Sequence, residues 1–281
     1  MAGFKVLLDG LIFPEGPRWH RGKLYFSDMH AHKVRAVDLK GNAEDICEVP
    51  AWPSGLGWLP NGRMLIVSMT DRKLLRLEKS GDLTTHADLS SLASFHCNDM
   101  VVDGNGRAYV GNFGYDLISG ADRKQAEIVM VDRDGSARVV ADQLDFPNGT
   151  VETPDGKTLI VGESMGHRLT AFDLQPDGSL TNRRVWADLG AAVPDGIALD
   201  EKHAVWVASP LTKEMLRVEE GGNVTDRAKF DSMPIACALG GPRRRTLFVL
   251  FADSINPDEC RAKRSGRIDM ITVPVGGAGW P

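Results

Sequence analysis

The chain has 281 residues, 42% of them hydrophobic and 25% charged, a balance able to bury a large core. A net charge of −5 gives no support to a nucleic-acid or acidic-membrane partner. No apolar run approaches the roughly 20 residues of a membrane span. No leader is visible at the start, and Cys47, Cys97, Cys237 and Cys260 lie far apart without CxxC spacing, so a soluble cytoplasmic protein acting on a small molecule is expected.

Taken in order, Phe4–Leu8 reads as a short strand, and Phe13-Pro14-Glu15-Gly16 follows it. Five later segments echo that second stretch: Trp52-Pro53-Ser54-Gly55, His96-Cys97-Asn98-Asp99, Phe146-Pro147-Asn148-Gly149, Val193-Pro194-Asp195-Gly196 and Met233-Pro234-Ile235-Ala236. Between Glu15, Ser54, Asn98, Asn148, Asp195 and Ile235 the intervals are 39, 44, 50, 47 and 40 residues, the mark of a repeat architecture.

Each unit pairs two β-forming runs across a variable loop. They are Lys23–Asp28 with Lys33–Leu39, Arg63–Ser68 with Lys73–Glu78, and Arg107–Gly111 with Glu127–Asp132. Further on come Lys157–Val161 with Arg168–Asp173, Ala204–Ala208 with Glu214–Val218, and Thr246–Phe251 with Gly266–Val273. Alternation of period two and Asp-Gly or Asn-Gly turns mark these as hairpins. No segment sustains a helical period, so helix content should be very low.

Six four-stranded units predict an all-β fold, a six-bladed β-propeller forming one domain over residues 1–281. The last unit ends at its third strand, so the N-terminal strand should complete it and close the ring. Strand direction then places the six equivalent residues around the axis at one end of the channel. The loops near His30, Asp71, Tyr115, His167, Leu211 and Asn256 should overhang that end. The two long loops, 112–125 and 252–265, should cover its mouth.

Glu15, Asn98, Asn148 and Asp195 offer side-chain oxygens toward one axis, a cluster costly to bury without a counter-charge. A single divalent cation would relieve that cost, and the donor set admits Ca²⁺, Mg²⁺, Mn²⁺ or Zn²⁺. Gly162-x-Ser164-x-Gly166 matches a short nucleophile pattern. It falls on a loop with no following helix, so a serine hydrolase is not expected.

The motifs Phe13-Pro14-Glu15-Gly16-Pro17, Asn98-Asp99, Phe146-Pro147-Asn148-Gly149 and Pro194-Asp195-Gly196-Ile197-Ala198-Leu199-Asp200 resemble those of the SMP-30/gluconolactonase/luciferin-regenerating-enzyme family over nearly the whole chain. The resemblance implies a propeller with a divalent metal in its channel, and lactone hydrolysis. It implies Glu15, Asn148 and Asp195 as metal ligands and Asn98 on the substrate side. The set is also similar to that of calcium-dependent phosphotriesterases of propeller fold.

Where sugar-lactone hydrolases of the family carry an arginine, this chain has His96, a smaller ring with fewer donors. Together with Cys97, Met29, Met69, Met165 and Phe113 near the inferred mouth, that suits a less polar substrate. The expected chemistry is metal-assisted opening of a cyclic ester, with Asp195 as general base and with Asn98 and His96 binding substrate. His30 and His167 could assist proton transfer. Another metal-dependent activity (phosphotriesterase, isomerase or lyase) and a non-catalytic binding propeller stay open at this point.

Overall fold

The period-two segments fold as alternating strands separated by glycine turns. In the fourth repeat Pro147–Glu152 pairs antiparallel with Thr158–Glu163, which pairs with Arg168–Leu174. Gly156, at φ +69°, closes the first of these hairpins. In the computed structural model, which describes residues 3–279, six such four-stranded antiparallel sheets form a six-bladed β-propeller.

The inner strands are Pro14–His20, Pro53–Trp58, Cys97–Val102, Pro147–Glu152, Ile197–Leu199 and Met233–Gly240. Each packs against the next, and the sixth returns to the first. The sixth blade runs Met233–Gly240, Thr246–Ala252, Gly266–Thr272 and then Lys5–Leu11, so the N-terminal strand does close the ring. That strand reaches three residues further than Phe4–Leu8 suggested.

The glycine that follows four of the six axial residues is explained by the same inner packing. A Cβ on Gly149 would stand 2.5 Å from the Asp195 carbonyl oxygen and 2.5 Å from the Ile197 nitrogen. One on Gly196 would stand 2.6 Å from Ala236 Cα. Neighbouring backbones meet where a side chain would otherwise sit. Away from the axis, apolar wedges fill the space between blades, such as Leu65 and Val67 of the second against Met100, Val102 and Val110 of the third.

Two features depart from the expected pattern. Loop 252–265 contains a helix, Pro257–Lys263, capped by Asn256 Oδ1, which accepts from the Asp258 and Glu259 nitrogens at 2.9 and 3.2 Å. Proline in the first turn, acidic residues beside it and Arg261 and Lys263 in the last turn make even this short helix favourable. Asp195 stands just ahead of strand Ile197–Leu199, whereas Glu15, Asn98 and Asn148 lie within theirs. Its N–H still donates to the Ala208 carbonyl at 2.9 Å, which keeps it in register. No helix among the described residues is long and apolar enough to cross a membrane.

Candidate metal centre

The axial residues are aimed by a hydrogen-bond scheme repeated from blade to blade. In the first four blades the residue two positions before the axial one offers its carbonyl to the first residue of the overhanging loop. Phe13 accepts from Met29 N at 2.9 Å, Trp52 from Met69 N at 2.9 Å, His96 from Phe113 N at 2.9 Å and Phe146 from Ser164 N at 3.0 Å. A buried polar residue ending the second strand grips the same lead-in. Asp28 Oδ1 accepts from Ile12 N and Phe13 N at 3.0 and 2.9 Å, Glu163 Oε2 from Asp145 N at 2.7 Å, and Ser209 Oγ from Val193 N at 2.9 Å. Sequence reasoning missed these three, although they recur at one register position.

Glu15, Asn98, Asn148 and Asp195 are brought together on the wall of one cavity, with His96 above Asn98 in the same strand direction. Ser54 and Ile235, the other two axial residues, are buried and outside that wall. Asn148 Nδ2 donates to Ser164 Oγ at 3.2 Å, and Ser164 Oγ donates to the Pro194 carbonyl at 2.6 Å. Asn98 Nδ2 donates to the Pro147 carbonyl at 3.4 Å. With the amide nitrogens so committed, both Oδ1 atoms are left as the groups available to a cation. Ser164 therefore orients Asn148, and its commitment to Pro194 explains why the Gly-x-Ser-x-Gly match carries no nucleophile.

Three carboxylates share this region with one guanidinium. Arg18 Nη2 donates to Asp99 Oδ1 at 2.8 Å, both side chains buried, a pair that sequence reasoning also missed. Burial, then the Asp195 and Asp99 charges, raises Glu15 well above the ordinary carboxylate range against the opposing Gly16 N–H and Arg18. Asp195 keeps part of its surface open to the cavity, yet burial lifts it to about 8, with Asp99 adding to the rise and an Asn148 hydrogen bond opposing it. Asp99 is raised by burial and drawn back by Arg18.

Among the described residues no group of three His, Cys, Asp or Glu is placed to hold a metal ion. A cation here would be held by a mixed set, two carboxylates and the Asn oxygens. The uncompensated carboxylates and the free amide oxygens both fit a hard divalent ion.

The mouth differs in part from expectation. His30, Met29, Met69 and Phe113 line the cavity, as do Asp116 and Ile118 from one long loop and Ile255 from the other. Cys97 is fully buried in the core between the second and third blades, because it alternates with the axis-facing His96 and Asn98. Met165 and His167 are not on the wall. His167 instead ends the turn Ser164–Gly166 in left-handed backbone at φ 52°. His96 stacks on Phe95 with ring centroids 4.1 Å apart, and burial lowers its pKa.

Residues 13–253 match the model of the SMP-30/Gluconolactonase/LRE-like region. Among curated relatives, a 6-deoxy-6-sulfogluconolactonase of Pseudomonas putida is 25% identical over 252 residues, covering 87% of this chain and 84% of its own. Regucalcin of Xenopus laevis is 26% identical over 268 residues, covering 92% and 90%. Among solved structures, a calcium-binding regucalcin from Agrobacterium tumefaciens superposes with a TM-score of 0.84 at 23% identity, over 99% of this chain and 96% of that one. The chain belongs to the SMP-30/gluconolactonase/LRE-like family.

Proposed function

We propose that this protein is a divalent-metal-dependent hydrolase that opens a lactone other than a typical sugar lactone. The observation that carries the reading is the pairing of Glu15 and Asp195 with Asn98 and Asn148 on one cavity wall. Burial raises both carboxylates, and the one guanidinium nearby, Arg18, is paired with Asp99. Lactonase names within the family support the reaction class.

Glu15, Asn148 and Asp195 would hold the ion, which when bound supplies Lewis acidity toward the ester carbonyl and keeps the two carboxylates ionised. Asp195, open to the cavity, takes a proton from the attacking water as the new C–O bond forms. The ring C–O bond then breaks, and the proton passes to the leaving oxygen, giving a hydroxy acid. Asn98 donates to or orients the substrate, and Ser164 keeps Asn148 turned toward the ion. His96, in place of an arginine fork, offers one ring nitrogen donor and a flat face, which favours fewer substrate hydroxyls.

The test is pH-stat hydrolysis of sugar, aliphatic and aromatic lactones by chelator-stripped protein with Ca²⁺, Zn²⁺, Mg²⁺ or Mn²⁺ restored singly, beside Asp195→Asn. Turnover that requires the cation and is lost in Asp195→Asn is expected. Tight cation binding with no lactone opened would remove the hydrolase reading.

A further inference from the structure

We infer that the substrate is a small lactone carrying an apolar, preferably aromatic, ring and no anionic group. The inference rests on the lactonase reading above for its chemistry but on the walls of the cavity for its substance.

In an extended segment, residues two apart face the same side. In four of the six blades the residue two before the axial position lies on the cavity wall and forms a second tier above the metal ligands. In the first four blades that tier is Phe13, Trp52, His96 and Phe146, and all four line the cavity. The rings form two clusters. His30 lies between Phe13 and Trp52 at centroid distances of 5.0 and 4.9 Å, and Phe113 stacks on Phe146 at 4.5 Å.

Two of these aromatics are held in left-handed backbone, Trp52 at φ 66° and Phe146 at φ 64°. The same backbone occurs at turns elsewhere, such as Arg21 and Arg72, so in these two aromatics it sets the direction of the ring rather than marking a ligand site. Their carbonyl bonds to Met69 and Ser164 are among the forces that hold them.

The wall also excludes two substrate classes. Among the described residues no lysine or arginine lines it, while Glu15, Asp116 and Asp195 do. A sulfonated, phosphorylated or carboxylated lactone would meet negative charge with no cationic partner beyond the metal. A polyhydroxy ring would bury its hydroxyls against aromatic faces, each lost partner costing affinity. A cavity of ≈ 120 Å³ encloses about one small ring of the substrate, the rest lying at the aromatic mouth.

Two readouts separate this inference from the reading beneath it. Calorimetry on the Ca²⁺-loaded protein with non-hydrolysable lactams tests the pocket. A benzo-fused δ-lactam should bind at least about tenfold more tightly than gluconolactam, a step of ~1.4 kcal/mol, and Phe113→Asn should remove that preference while leaving Ca²⁺ binding intact. Equal or tighter binding of gluconolactam, or no binding of the benzo-fused lactam, overturns the inference. Turnover of the matching lactones tests the hydrolase. Lactam preference without any turnover would sustain the pocket and sink the lactonase, whereas faster opening of glucono-δ-lactone would keep the lactonase and overturn the aromatic substrate.

Discussion

Arg18 and Asp99, 81 positions apart in sequence, meet as a buried ion pair at 2.8 Å, and Arg18 also donates to the Pro17 carbonyl at 2.9 Å and to the Met100 carbonyl. One guanidinium against Glu15, Asp99 and Asp195 leaves two negative charges, the complement of a single divalent ion. Removing Arg18 strands a buried carboxylate. Arg18→Met should lose about 3–5 kcal/mol of unfolding free energy, and Arg18→Met with Asp99→Asn should recover most of it. Urea denaturation of the set measures this, and a single variant within ~1 kcal/mol of the parent would deny the pair a structural role.

Asp195→Asn removes one of two repelling carboxylates. Without metal it should melt higher than the parent, by about 2–4 °C for each kcal/mol of repulsion relieved. With Ca²⁺ it should gain far less than the parent does. Thermal melts with and without chelator decide the matter; a metal-free variant that melts lower would show that the two carboxylates do not repel.

Ser164→Ala removes one of the two side chains that fix the Asn148 amide, Asp195 being the other. Metal affinity should fall by about 10–100-fold, as when the outer partner of a metal ligand is lost. Global stability should change only by the ~1–3 kcal/mol of two hydrogen bonds, those to Asn148 and to the Pro194 carbonyl. Calorimetric titration with Ca²⁺ reads the first effect, and unchanged affinity would remove Ser164 from the site.

Stability should also depend on pH in a defined sense. Asp195 has its pKa lifted to about 8 and Glu15 is raised in the same direction, against roughly 4 for unfolded carboxyls. Between those values the folded chain holds protons that the unfolded chain has lost, so metal-free stability falls as pH rises through the window. Added Ca²⁺ should stabilise more at pH 8 than at pH 5, because it competes with those protons. Melts across this range test the slope, and Asp195→Asn should flatten it. A metal-free protein that gains stability from these groups as pH rises would contradict the assignment.

Much of this site was legible before any coordinates, because a propeller repeats its local instructions. Period-two strands, glycine turns and an axial segment recurring at intervals of 39 to 50 residues specify blades one at a time. Equivalent positions in a closed ring must then share an axis, so Glu15, Asn98, Asn148 and Asp195 could be grouped from spacing alone. Cys97, expected at the mouth, lies instead in the core, because alternation turns it away from its axis-facing neighbours. The short helix Pro257–Lys263 left only its Asn-Pro-Asp-Glu start as a signal, because seven residues show less than two full turns of period.

The chain by itself thus determined the number of blades, the closure by the N-terminal strand and the identity of the axial ring, since each follows from contacts within or between adjacent strands. Only the tertiary structure decided which residues serve that ring. Ser164 against the Pro194 carbonyl, Arg18 against Asp99 and the aromatic tier over the cavity join segments of different blades. Their distances depend on how tightly the inner strands close around the axis, and that is a property of the packed ring that no single repeat encodes.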